Sequence, residues 1–318
     1  MSSPPAPTLD HTVRAEDEDR HDPGPETWWN ESWYLDLVTA DGSLAGYVRL
    51  GLHPNQGVAW WTAALVGQDR PCVMAARYAL PLPQPDAMAL HADGVDIDLH
   101  VVDPLRAFRV VATSPAVAHP SAADVYEGGV GESTILAFDL TWISDGEPYH
   151  YTLSPRYEIP CLVQGTITVG DEVLTVDCQG QRDHSWANRD WWSFEWCWFS
   201  GRMDDGTRVH GADIRVTEGF RLAFGYCQDG SEVVPIESDL RVEEDRGRNG
   251  MPSMATIVCP PAGLDLVATP LYAGPLLLLD GTGGRAHFHR ASCQYQAADG
   301  RTGLGWIEWN QVHEKPSG

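Results

Sequence analysis

The densest chemistry in this 318-residue chain lies between Gly180 and Trp192, where Arg182, Asp183, His184, Trp186, Arg189, Asp190, Trp191 and Trp192 fall within thirteen residues. Four charged groups, a histidine and three indoles make poor core and poor surface, so a structured loop in contact with something is expected here. The next segment, Phe194–Arg202, alternates as a strand and turns at Asp204-Asp205-Gly206 into a second strand, Thr207–Val216. A two-residue Asp205-Gly206 loop would set Asp213 opposite Trp198 and Arg215 opposite Trp196, with Phe194 on the same face. A carboxyl group beside an indole is desolvated, which raises its pKa toward that of a usable general acid. An Asp213–Arg215 salt bridge or an outward-facing pair is the structural alternative, and a one-residue slip would change the pairing.

Twelve of the thirteen tryptophans cluster around the same region and at Trp28-Trp29, Trp33, Trp60-Trp61, Trp306 and Trp309. Adjacent strand residues point to opposite faces, so both faces around Trp60-Trp61 must accommodate an indole. A two-layer protein with a cavity on one side of its sheet does this. Indole walls suit a greasy substrate or a cation, which an indole face attracts by about 0.5–2 kcal/mol.

The elements that would position these groups are hairpins. Asp-Gly recurs at 41–42, 93–94, 145–146, 205–206, 229–230, 280–281 and 299–300, mostly between short β-branched and aromatic runs. Helical periodicity is weak, with Pro120–Tyr126 the one modest candidate, and the chain holds 31 Gly and 23 Pro. The pattern predicts an all-β chain of two tandem antiparallel barrels or sandwiches with few short helices, since closure removes exposed edges. The expected organisation is a disordered acidic tail over 1–26, β domains over 27–180 and 181–313, and a short tail over 314–318.

Composition excludes several functions. A net charge of −24 repels phosphate backbones, so no nucleic-acid partner is expected. The only lysine is Lys315, which removes a core Schiff-base lysine and the Gly-Lys of a phosphate-binding loop. No apolar run reaches the ~18 residues of a transmembrane segment. Seven scattered cysteines without a C-x-x-C pair read as buried free thiols of a cytoplasmic protein. His287 and His289 share a strand face, but no ligand spacing for a metal is present, so no metal and no other cofactor is expected. No G-x-S-x-G occurs, which disfavours a serine hydrolase.

At Arg182-Asp183-His184-Ser185-Trp186, with Tyr157-Glu158, Gly165-Thr166-Ile167-Thr168-Val169 and Gly303-Leu304-Gly305-Trp306-Ile307-Glu308, the sequence resembles the carotenoid 1,2-hydratase-like family of paired lipocalin-like barrels. That group also includes phytoalexin hydratases and pericyclase-type cyclases. The resemblance implies acid–base roles for His184 and Trp186 and for an Asp on the following hairpin, matched by Asp213. The family's hairpin tyrosine would correspond to Gly211, with His210 beside it. The expected function is a cofactor-independent hydratase or dehydratase acting on a hydrophobic isoprenoid-like or polyketide-like alkene. Its catalytic residues would be His184, Asp213 and Trp186, and substrate would touch Trp196, Trp198, Phe194, Trp191, His210, Arg182 and Trp60. Isomerisation or cyclisation of a similar substrate, and non-catalytic carriage of a hydrophobic ligand, are the alternatives. Homodimerisation stays open.

Overall fold

The computed structural model describes residues 12–128, 131–152, 154–217, 220–237, 239–247, 251–259, 262–279 and 283–314. The first sheet comprises β1 (Trp29–Val38), β2 (Leu44–His53), β3 (Val58–Gly67), β4 (Cys72–Leu80), β5 (Ala89–Ala92), β6 (Val95–Asp103), β7 (Ala107–His119), β8 (Glu132–Ser144), β9 (Tyr149–His150), β10 (Arg156–Val169) and β11 (Glu172–Asn188). Its order is β4-β3-β2-β1-β11-β10-β8-β7-β6-β5. Pairing of β4 with β7, through Cys72–His119, Val73–Ala118 and Met74–Val117, closes eight of these strands into a barrel. Side chains such as Trp33, Trp61, Phe108, Trp142 and Tyr157 fill the interior.

The second sheet comprises β12 (Glu195–Met203), β13 (Arg208–Thr217), β14 (Phe220–Asp229), β15 (Glu232–Ile236), β16 (Arg241–Arg246), β17 (Pro252–Cys259), β18 (Leu264–Ala273), β19 (Leu276–Leu279), β20 (Arg285–Ala297) and β21 (Thr302–Glu314). It runs β15-β14-β13-β12-β21-β20-β18-β17-β16 and curls around a core that includes Phe199, Ile257, Tyr295 and Trp309. The fold is all-β, and the helical pieces among the described strands and turns are short, such as Asp124–Glu127.

Strands β1 to β3 are buried almost throughout, whereas β6 to β8 alternate buried and exposed residues. The reason is a second packing layer. The outward side chains Tyr34, Tyr47, Trp60, Ala64 and Met74 of the first barrel pack on Trp198, Leu276, Phe288 and Trp306 of the second sheet and on Trp191 of the connection between the sheets. Polar contacts pin the seam: Trp306 Nε1 donates to the Leu37 carbonyl at 3.0 Å, and the Tyr47 hydroxyl to that of Gly274 at 2.9 Å.

Two organisational expectations need correction. The chain changes sheets over 189–194, not near residue 180, because β11 runs on to Asn188. Gly180 is an in-strand position where β1 passes close: a Cβ there would come 2.0 Å from the Asp36 carbonyl oxygen. The N-terminal segment is also ordered from residue 12, with a 3₁₀ turn at Ala15–Glu18 that buries Asp17 and Glu18. Residues 1–11 and 315–318, which hold part of the expected tails, lie outside the described residues.

All seven cysteines are free, and six are buried. Among the described residues no helix is long and apolar enough to cross a membrane.

Candidate active site between the barrels

Strand alternation splits the Arg-Asp-His-Ser-Trp run between two environments. Arg182, His184 and Trp186 face the first barrel, where the N-terminal segment folds over its mouth. Arg182 pairs with Glu18 at 2.7 Å, and the Tyr157 hydroxyl donates to the same carboxylate at 2.8 Å. His184 is fully buried, with Nδ1 2.8 Å from the Asp17 carbonyl and Nε2 3.1 Å from Glu31. Both ring nitrogens thus face acceptors, and none is left to meet a substrate. Trp186 stacks on His21 at 3.8 Å.

His21 Nδ1, Glu31 Oε1 and His184 Nε2 lie within 4.8 Å of one another, a donor set that could hold a first-row metal ion. The Arg20 guanidinium, 3.7 Å from Glu31, opposes a cation there.

The hairpin register also differs from expectation. The loop is Asp204-Asp205-Gly206, three residues with Gly206 at φ 90°, and Met203 N–H bonds the Thr207 carbonyl across it. That one extra residue moves every side chain of β13 to the other face. Asp213 lies opposite Cys197, not Trp198, and Arg215 opposite Glu195, not Trp196.

Asp213 is fully buried and accepts from Arg221 (2.7 Å) and from the Val242 amide (3.0 Å). Arg215 donates to the Val242 carbonyl at 3.1 Å, so the two side chains tie β13 to β16, a strand that is not its neighbour in the sheet. Asp213 and His184 therefore belong to different barrels and share no partner. Asp213→Ala should cost about 1–3 kcal/mol of stability, the penalty for stranding the Val242 amide and Arg221. Urea denaturation followed by circular dichroism measures this, and the folded fraction should keep its ligand affinity. Gly211 faces the second core, where a Cβ would meet the Phe199 ring at 2.6 Å, so no tyrosine fits there.

The other face of the same strands builds a site. A cavity of about 280 Å³ lies between the barrels, lined by Trp196, Trp198, Phe194 and Phe224 on the second sheet and by Tyr151, Arg156 and Arg189 opposite. Behind Tyr151 stands His210, which the register places on the Trp198 face. His210 Nδ1 donates to the Phe199 carbonyl at 2.9 Å, which fixes its tautomer. Nε2 then accepts from the Tyr151 hydroxyl at 2.8 Å.

Burial and the nearby Arg156 charge hold His210 well below the ordinary histidine range, so the ring is neutral. Glu158 Oε1 lies 3.6 Å from Nε2 and is gripped by Arg156 (2.7 Å), Trp198 Nε1 (3.1 Å) and, through Oε2, Gln181 (3.0 Å). Arg156 also binds Asp183 at 2.8 Å. Burial pushes the Asp183 carboxyl up to about 7 against the pull of Arg156.

The geometry thus joins Tyr151, His210, Glu158 and Arg156 at a cavity wall bearing Trp196, Trp198 and Phe194. His184, Arg182 and Trp186 stay in the first barrel, Asp213 in the second, and Trp60 and Trp191 in the seam beside the cavity. Tyr151 and Arg156 were not singled out from sequence. The available signal was Tyr149-His150-Tyr151 followed by Arg156-Tyr157-Glu158, a polar aromatic run pairing with the Asp183 strand.

A model of a domain of unknown function, DUF7064, matches residues 14–313, nearly the whole described chain. The chain belongs to the DUF7064 family. No curated protein matches its sequence. Among solved structures, an AttH-like protein from Nitrosomonas europaea superposes with a TM-score of 0.65 at 13% identity, covering 96% of this chain and 98% of that one. Kievitone hydratase from Nectria haematococca gives 0.64 at 13% identity, covering 94% and 93%. CghA gives 0.57 at 10% identity, covering 92% and 90%, and has also been solved with Sch210972. This DUF7064 chain therefore shares its fold with an AttH-like protein, kievitone hydratase and CghA.

Proposed function

We propose that the protein is a cofactor-independent enzyme of the hydratase–dehydratase type, acting on a hydrophobic substrate held between its barrels. The observation that carries this reading is the Tyr151–His210 pair at the cavity wall: a hydroxyl 2.8 Å from a neutral imidazole nitrogen, with a carboxylate 3.6 Å behind it. The relay works as a base. A substrate C–H proton passes to Tyr151 Oη while the hydroxyl proton moves to His210 Nε2, and Glu158 stabilises the imidazolium that forms. The C–H electron pair becomes the double bond and the C–O bond breaks. The proton then returns through Tyr151 to the departing oxygen, which leaves as water. Hydration is the same path reversed. The indoles of Trp196 and Trp198 and the rings of Phe194 and Phe224 give the apolar body its surface. Kievitone hydratase and CghA share the fold, which is consistent with hydratase- or cyclase-type chemistry.

Native mass spectrometry of the protein as purified should reveal a bound hydrophobic molecule. Incubating that molecule with the enzyme in H₂¹⁸O and, separately, in D₂O tests the reaction. Hydration places ¹⁸O in the product hydroxyl and one deuterium on the adjacent carbon. Turnover with deuterium but no ¹⁸O makes the enzyme an isomerase, loss of water with neither label is the dehydration direction, and turnover with neither label and no loss of water removes the proton relay from the mechanism.

A further inference from the structure

A Tyr151–His210 base sets a condition on its substrate. A tyrosine backed by a neutral imidazole is a mild base, and an ordinary alkane C–H is far too weak an acid for it. A carbonyl group on the adjacent carbon removes that obstacle, because the electron pair left by the proton moves onto the carbonyl oxygen. An enolate oxygen formed in a cavity shielded from water then needs a fixed positive partner.

Most charges on the cavity wall already have one. Arg156 binds Glu158 at 2.7 Å and Asp183 at 2.8 Å. Glu308 accepts from Arg290 at 2.8 Å. Asp190 folds back on its own turn and accepts from the Trp192 and Ser193 amides at 2.9 and 3.1 Å.

Arg189 differs. It follows β11 directly, and its amide is pinned to the Trp28 carbonyl at 2.9 Å. Among the described residues its guanidinium makes one hydrogen bond, a long one of 3.4 Å to Ser185 Oγ, and no carboxylate lies at ion-pair distance from it. Its charge acts on Tyr151, Arg156 and Glu308, all of them on the cavity wall, so the charged end and not only the stem belongs to the cavity. Burial and the neighbouring Arg156 charge pull the group down to about 10, which still leaves it cationic at neutral pH.

We propose that Arg189 holds the carbonyl oxygen of the substrate, which is therefore a compact apolar β-hydroxy carbonyl compound or the matching conjugated enone. This rests on the Tyr151–His210 relay and narrows its substrate class. The proton on the carbon beside the carbonyl passes to Tyr151 Oη as the hydroxyl proton moves to His210 Nε2. Its electron pair forms the C–C double bond of an enolate, whose negative oxygen faces Arg189. The carbonyl then re-forms, the pair shifts to the bond between the α and β carbons, and the β C–O bond breaks. The leaving hydroxide takes the proton returning from His210 through Tyr151 and departs as water. At about 280 Å³ the cavity lies near the lower end of ligand pockets, which sets the compact body.

Titration calorimetry on the full chain compares cinnamate, whose carboxylate stands in for the enolate oxygen, with the isosteric neutral cinnamamide. The acid should bind at least about tenfold tighter, the scale of one charge-assisted pair. Arg189→Gln should abolish that preference and Arg189→Lys should keep part of it. Exchange of the α hydrogens of benzylacetone in D₂O, followed by NMR above the buffer rate, reads the enolate. Arg189→Gln should slow it about 10²-fold. Tyr151→Phe should stop the exchange yet leave the acid preference intact. Exchange that is absent from the unaltered protein, or that survives Tyr151→Phe, counts against the relay alone, while the acid preference still supports Arg189 as the anchor. Equal affinity of acid and amide for the unaltered protein, or binding of neither at millimolar concentration, overturns the proposal even if Arg189→Gln does not fold. A preference that persists in Arg189→Gln overturns it as well.

Discussion

Tyr151→Phe should lower kcat by about 10²–10⁴-fold while KM moves by no more than a few-fold. The phenyl ring keeps the packing that holds this segment, against Phe224 at 5.4 Å and His210 at 5.8 Å. Only the hydroxyl is lost, and with it the atom that meets the substrate. His210→Gln should have a similar effect, because Tyr151 then has no base behind it. The double variant should be little worse than either single one, since the two act as a unit.

The pH profile gives a second readout. A histidine at its ordinary value would impose an acid limb near pH 6.5. Burial holds His210 well below that, so its neutral, proton-accepting form persists into more acid solution and no limb near 6.5 should appear. Steady-state kinetics on the co-purified substrate checks both. A Tyr151→Phe enzyme within tenfold of the unaltered one would remove Tyr151 from the chemistry.

The strands and their pairing were legible because their causes are local. Period-two patterning and Asp-Gly turns mark hairpins wherever they occur, and at Asp93-Gly94 the two-residue loop is present, with φ 53° and 76° and Ala92 paired with Val95. The site was less legible because its causes are not local. At Asp204-Asp205-Gly206 the turn residues fit a two-residue or a three-residue loop equally, and that single residue decided whether Asp213 or His210 faces the cavity. Likewise, the run Arg182 to Trp186 looked like one constellation, but strand alternation sends Arg182 and His184 into the first barrel and Asp183 toward the seam. Tyr151 reaches His210 from 59 residues away, a contact that only the packing of one barrel on the other creates.

Arg182→Met should be the most destabilising single change in the first barrel, by about 3–5 kcal/mol, because it leaves the Glu18 carboxylate charged, buried and unpaired. Glu18→Gln in the same chain should restore part of the loss, and trypsin should cut after Arg14 or Arg20 in the single variant before the double one. The same contacts set the acid stability. Burial acts to raise the Glu18 carboxyl, but the charge and hydrogen bonds of Arg182 and the Tyr157 hydroxyl outweigh it and hold the group below its ordinary value. For Glu31, burial is likewise outweighed by the hydrogen bonds of His184 and His21. A carboxyl depressed on folding contributes stability that is complete above its unfolded value, about 4.3, and is lost as pH falls through the folded value. Asp183 has the opposite sign: raised by burial to about 7, it binds its proton more tightly when folded. Its contribution is complete below about 3.9 and is lost as pH rises toward 7. Urea midpoints measured across pH should therefore pass through a maximum in mildly acid solution. Asp183→Asn should flatten the decline toward neutrality, and Arg182→Met with Glu18→Gln should flatten the acid side. A midpoint that rises steadily from pH 5 to 8 in the unaltered protein would show that Asp183 is ionised throughout, held so by Arg156.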